Sequence, residues 1–258
     1  MAFTPIKQAI TNASFKNIRL IATDMDGTLT QQGKFTANLL RAFEDLIAAD
    51  IPVLIVTGRS AGWVSGLVTY LPVAGAIAEN GGLFYRADSA EPISLTSIPN
   101  LVEHRQRLSE TYQRLKSEFP HIQESVDNHF RLTDWTFDNR ALTLTQLKRL
   151  DALCSSMGWS FTYSSVQCHI KPAFQDKAVG LMQVLDNYFP QYKVEQVVTV
   201  GDSPNDASLF NPELFPLSVG VANVMDYASE LIYQPAYVTQ TPEGEGFCEL
   251  VRFLSVGD

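Results

Sequence analysis

Two aspartates, Asp24 and Asp26, stand one residue apart where an apolar run, Ile18 to Ala22 with Arg19 inside it, ends at Thr23. In an extended chain side chains repeat with period two, so both carboxylates point the same way. Two more acids, Asp202 and Asp206, follow a second apolar run at 196–200. If the fold brings the two segments together, each like-charged pair costs about 4 kcal/mol at roughly 4 Å and an effective dielectric of about 20. Such a cluster calls for a cation. Hard oxygen donors favour Mg2+, which keeps several waters and also binds substrate phosphate. A carboxylate not held purely as a ligand is available as a nucleophile. Gly27 allows a sharp turn whose freed backbone N–H groups can meet a phosphate, and Thr28 adds a local hydroxyl. At another strand end Thr57 and Gly58 offer a hydroxyl and an amide to the same oxygens, and Lys177 offers a mobile positive charge. A nucleophilic oxygen, charge neutralisation and positioning are what phosphoryl transfer requires.

The elements that must position these groups follow from hydrophobic patterning. Residues 18–23, 52–57 and 73–78 are short apolar runs of the kind buried on both faces of a parallel sheet. Between them, 36–49 carries Leu39, Leu40, Phe43, Leu46 and Ile47 at helical spacing behind Thr36, a good N-cap, and 60–70 also reads as helix. From 83 the pattern changes: short strands and turns to 98, a helix over 99–119, alternating strand-like residues over 122–137, a helix over 143–157 and a strand pair over 159–171. The strand–helix style returns with a helix over 176–188 and continues through strands at 196–200, 217–221 and 236–239, with helical pieces at 205–210 and 224–230. The reading is an α/β fold: a Rossmann-like parallel-sheet core over 1–82 and 172–258, interrupted by an α+β cap over 83–171. In such sheets ligands bind beyond the carboxyl ends of the strands. Those ends supply Asp24 and Asp26, Thr57-Gly58-Arg59, Glu79-Asn80-Gly81-Gly82 and Gly201 to Asp206.

The stretches DMDGTLT (24–30), VTGR (56–59), DK (176–177) and GDSPND (201–206) resemble the four ordered motifs of the haloacid dehalogenase superfamily. ENGG at 79–82 and the tail from Val219 resemble its Cof-like and sucrose-phosphatase-like branch, which carries a large cap between the second and third motifs. The resemblance implies that Asp24 attacks phosphorus to form an aspartyl-phosphate, and that Asp26 protonates the leaving oxygen and then activates water. It implies Mg2+ held by the Asp24 carboxylate, the Asp26 backbone carbonyl and Asp202, supported by Asp206 and Asn205, with Thr57, Gly58 and Lys177 on the phosphoryl group. Arg59 reads either as a substrate contact or as the partner of an acid; Asn80 either orients Asp26 or caps the turn into the insert. The expected activity is hydrolysis of a small phosphorylated metabolite, a sugar phosphate first. A phosphotransferase or phosphomutase on the same core, and a ligand-binding protein without turnover, are the alternatives.

Other features read as structural. A calcium loop would need a further Asp or Asn before the glycine and a distal Glu, which 24–30 lacks. Cys154, Cys168 and Cys248 are widely spaced, odd in number and form no CxxC, so buried thiols in a reducing compartment are expected. His104, His121, His129 and His169 show no ligand spacing and read as surface or packed residues; Lys171 reads as a surface charge. In the insert His129, Arg131, Asp134 and Trp135 are candidates to face the substrate. Of 258 residues 45% are hydrophobic, enough for a sizeable core, and the formal charge of −9 lacks any basic cluster for nucleic acid. No apolar run approaches the ~20 residues of a membrane span, and the N-terminus lacks the apolar stretch of a signal peptide. A cytoplasmic monomer or homodimer acting on a small molecule is the expectation.

Overall fold

The computed structural model describes residues 3–11, 15–89, 91–140 and 142–255. After a first helix, α1 (Ile6–Thr11), the chain alternates β1 (Leu20–Thr23), α2 (Ala37–Ala48), β2 (Val53–Val56), α3 (Ala61–Tyr70) and β3 (Gly75–Ala78). β4 (Leu83–Arg86) and β5 (Ile93–Ser94) follow, then α4 (Leu101–Glu118), β6 (Trp135–Asp138), α5 (Leu144–Ser156), β7 (Trp159–Tyr163) and β8 (Gln167–Pro172). α6 (Lys177–Tyr188), β9 (Val197–Gly201), β10 (Ser218–Gly220), β11 (Tyr237–Val238) and α7 (Glu243–Ser255) complete the chain.

Eight strands form one sheet in the order β11-β10-β9-β1-β2-β3-β4-β5. β11 to β3 are parallel, and β4 and β5 close that edge antiparallel. Period two sorts the core strands between two layers. Ile21, Val53, Ile55, Val198 and Val200 pack with Phe43 and Phe247, on the face covered by α2, α3 and α7. Leu20, Ala22, Leu54, Val56 and Val197 pack with Leu181, Val184 and Leu185 of α6 on the other. Strands buried on both sides explain the unbroken apolar runs. The sequence reverses direction across the sheet between β1 and β9, which are neighbours. Their carboxyl ends therefore open on the crevice where ligands bind.

β6, β8 and β7 form a separate antiparallel sheet. Phe137, Cys168 and Ile170 turn to α4 and α5 and meet Leu108, Tyr112, Leu150 and Cys154 in a core of their own. A start of this insert at residue 83 is displaced: Leu83 to Arg86 pair with Gly75 to Ala78, and Ile93 and Ser94 pair with β4, inside the core sheet. The buried Leu83, Phe84 and Tyr85 cover an edge that β3 would otherwise expose. The strand expected through 122–137 shrinks to β6 behind a 3-10 turn at Val126–Phe130. Asn128 imitates a strand partner there, donating to the Thr136 carbonyl (2.8 Å) and accepting from the Thr136 amide (2.9 Å). Helices α1 and α7 extend the expected pattern, and α7 presents Phe247, Leu250 and Val251 to the core. The cysteines are free and buried, with burial raising all three thiols, Cys154 to about 12 and Cys248 to about 11. No helix among the described residues is long and apolar enough to cross a membrane.

Candidate active site

Because β1 and β9 are adjacent, the turns that follow them bring Asp24, Asp202 and Asp206 together, with carboxylate oxygens within 4.8 Å of one another. All three are buried. Lys177, the first residue of α6 and fully buried, lies between two of them, its Nζ 2.6 Å from Asp24 Oδ1 and 2.6 Å from Asp206 Oδ1. The other Asp206 oxygen accepts from the Asp202 and Ser203 amides, both at 3.0 Å. Among the described residues Asp202 has neutral donors only: Thr28 Oγ1 at 2.9 Å and Asn223 Nδ2 at 2.9 Å. Thr28 thus acts across the sheet rather than locally. Burial and then the Asp206 charge push the Asp24 carboxyl up to about 7 against the pull of Lys177. Burial and the charges of Asp24 and Asp206 raise Asp202 as well. Gly27, at φ +81°, is the only residue type that suits this turn: a Cβ there would lie 2.6 Å from Asp202 Oδ2.

Asp26 stands apart from that cluster. Arg59 grips it with two parallel hydrogen bonds, 2.7 Å from Nε and 2.6 Å from Nη2. The bonds to Asp26 raise the Arg59 guanidinium further. Arg59 is therefore the partner of an acid in this arrangement. Thr57 is buried and its Oγ1 accepts from the Arg59 amide at 3.1 Å. Asn80 does not bond Asp26; its Oδ1 accepts from Asn205 Nδ2 at 3.2 Å, and its own buried Nδ2 has no protein partner. A cleft of about 10 Å3, room for roughly one water, separates Asp24, Asp26, Gly58, Arg59 and Asn205 from the insert residues Ser164, Val166, Gln167 and His169.

The insert is tied down over this cleft at two points. Glu79, buried at the end of β3, accepts from the Ala61 amide at the start of α3 (2.9 Å). It also accepts from the Leu132 amide (3.0 Å), the Thr133 amide (2.6 Å) and the Thr133 hydroxyl (2.8 Å). Elsewhere the Tyr163 hydroxyl of β7 donates to Glu230 of the core. Of the insert candidates, Arg131 and Asp134 are buried and bonded to each other, at 2.9 and 3.0 Å, and Arg131 Nη1 also reaches the Gly58 carbonyl at 3.0 Å. His129 is exposed, and Trp135 stacks on Tyr112 inside the insert. Lys171 is not a surface charge: it is buried, donating to the Gln175 carbonyl. Sequence reading placed Glu79 at a strand end without a role, took His169 as a surface or packed residue and did not single out Asn223. Asn223 follows β10, a strand end like the others, and that position was the available signal.

A model of the family described as haloacid dehalogenase-like hydrolase matches residues 21–119 and 101–248. The chain is 26% identical over 241 residues to a phosphoglycolate phosphatase of Methanothrix thermoacetophila, covering 92% of this chain and 97% of that protein. It is 30% identical over 211 residues to a phosphoglycolate phosphatase of Natronomonas pharaonis, covering 81% and 86%. The crystal structure of Thermoplasma acidophilum 0175 superimposes with a TM-score of 0.74 at 20% identity, over 93% of this chain and 99% of that one.

Proposed function

The chain belongs to the haloacid dehalogenase-like hydrolases, and from that membership we propose that it is a Mg2+-dependent phosphatase releasing inorganic phosphate from a small phosphate monoester through a phosphoryl group carried on Asp24. The observation that carries this reading is the Asp24 carboxylate, buried at the end of β1, with Oδ1 pinned by Lys177 at 2.6 Å and the residue facing the cleft. An oxygen of Asp24 attacks phosphorus while the bond to the ester oxygen breaks. Asp26 gives that oxygen its proton. In the second half Asp26 takes a proton from water, the hydroxide attacks phosphorus, and the acyl–phosphate bond opens to restore Asp24. Arg59 engages both oxygens of Asp26 in this arrangement. Thr57, Gly58 and Lys177 surround the phosphoryl group.

The donor set fits Mg2+. Asp24, Asp202 and Asp206 offer hard oxygens, and a single ammonium, Lys177, stands against three buried carboxylates. The Asp24 and Asp202 carboxylates with the Asp26 backbone carbonyl would hold the ion, and Asp206 and Asn205 would support it. When bound, it supplies positive charge that neutralises both the carboxylates and the phosphoryl oxygens. The insert serves as a cap over 95–172 that covers the reaction and selects the leaving group.

A sugar phosphate is the first substrate class. Phosphoglycolate is the second, favoured by relatives of that name. The deciding experiment measures phosphate release from sugar phosphates and phosphoglycolate with Mg2+ and with a chelator. Release that needs Mg2+ and is fastest with a sugar phosphate is the expected result. Phosphoryl transfer to a second sugar without phosphate release, or no turnover of any ester, overturns the hydrolase reading.

A further inference from the structure

The insert's sheet places one titratable residue over the cleft that the proposed chemistry does not use. Cys168 and Ile170 of β8 face the helices, so His169 between them faces the opposite way, towards the core. It is 1% exposed and lines the same cleft as Asp24 and Asp26. Its Nδ1 lies 2.8 Å from Asp134 Oδ2. The two hydrogen bonds from Arg131 hold that carboxylate in place, and Arg131 is in turn anchored on Asp127 (2.9 Å) and on the Gly58 carbonyl. Against the effect of burial, Arg131 and His169 keep the Asp134 carboxyl below the usual range.

An ionised carboxylate only accepts. The hydrogen of the imidazole therefore sits on Nδ1, as a buried aspartate fixes the tautomer in hydrolase triads. Burial lowers the His169 pKa, which disfavours the charged ring. Nε2 makes no protein hydrogen bond among the described residues and adjoins the phosphate-binding turn: a Cβ on Gly58 would be 3.1 Å from it. A lone pair aimed into a phosphatase cleft repels a carboxylate and accepts from a hydroxyl.

Resting on the phosphatase reading above, we propose that Nε2 of His169 accepts a hydrogen bond from a hydroxyl of the leaving group, so that the enzyme selects hydroxylated phosphate esters over those ending in a carboxylate. Asp134 is the positioning residue that sets this polarity.

Three two-carbon esters test it: kcat/KM with Mg2+ for 2-hydroxyethyl phosphate, ethyl phosphate and phosphoglycolate. The wild type is expected to prefer the hydroxyl ester over ethyl phosphate by about 10-fold, the scale of one hydrogen bond, and over phosphoglycolate by more. Asp134→Asn lets an amide donate to Nδ1, moves the ring hydrogen to Nε2 and turns the acceptor into a donor. The ratio of phosphoglycolate to hydroxyl ester then rises by about 10-fold or more. Should that buried substitution fail to fold, His169→Leu still reports, by bringing the ratio of hydroxyl ester to ethyl phosphate to about one. A wild-type ratio near one, a wild-type preference for phosphoglycolate, or equal losses on all three esters in the variants overturns the inference and leaves the phosphatase reading standing. Turnover of none of the three by the wild type removes that reading and the inference with it.

Discussion

Among the described residues a buried ionic cluster lies on each side of the cleft, and the charge balance of the two differs. On the core side Asp24 and Asp206 share one ammonium, and Asp202 beside them has no cationic partner among the described residues. On the insert side one guanidinium, Arg131, is shared between Asp127 and Asp134, and the second Asp134 oxygen also takes the His169 N–H. Burial acts on both, yet Asp24 is pushed up to about 7 while Asp134 is held below its ordinary range. The same residue types thus do opposite work. The core cluster, three carboxylates against one ammonium, is poised for a missing charge; the insert cluster, two against one, holds a side chain still.

The sharpest way to break this comparison is to neutralise one aspartate on each side. Asp24→Asn is expected to cut phosphate release by roughly 10^4 or more, the scale of losing a covalent nucleophile, while raising the melting temperature in Mg2+-free buffer by relieving repulsion. Asp134→Asn should do the reverse to stability, costing about 3 kcal/mol by leaving Arg131 underpaired. Calorimetry and a phosphate assay on both variants check this. Normal turnover in Asp24→Asn, or equal stability changes in the two, would dissolve the distinction.

A smaller effect lies in pH. Asp24 has its folded pKa raised above the unfolded value, so its contribution is intact below about pH 4 and is lost as pH rises towards about 7. Without Mg2+ the melting temperature should therefore fall between pH 5 and pH 8. Mg2+ at about 100 times its Kd should add about 2.7 kcal/mol, and more at pH 8 than at pH 5, because protons and metal compete. Asp134, with a lowered pKa, contributes above the carboxylate range and loses its contribution only as pH falls through its folded value. A melting temperature indifferent to pH and to Mg2+ would contradict the imbalance on the core side.

What could be read from the chain alone follows the same division. Parallel strands announce themselves as apolar runs, and the polar residues after Thr23, Val56, Ala78 and Gly201 must gather at one edge, so Asp24, Asp26 and Asp202 could be placed together in advance; Lys177, which opens α6, follows no strand of that sheet and stood out only by its place in the motif order. The insert obeys no such rule. An antiparallel sheet has two faces, and only the packing of Cys168 and Ile170 on α4 and α5 shows which way His169 points. Arg131 and Asp134 were candidates to face the substrate, but their partners are spread over Asp127, Gly58 and His169. The start of the insert was misplaced because β4 and β5 have the composition of either sheet; pairing with β3 decides it.

The smallest expected effect concerns Tyr163. Tyr163→Phe removes one hydrogen bond to Glu230, and KM should rise about 2- to 5-fold with kcat little changed, as for a contact that holds the cleft shut. A large fall in kcat with constant KM would place Tyr163 in the chemistry instead.

Glu79 has a mechanical consequence. Its carboxylate takes donors from α3 and from Leu132 and Thr133 at once. Pulling the two domains apart at that point would strand a buried anion, whereas parting them at Tyr163 breaks one bond. The Glu79 contact is therefore the costlier of the two to break.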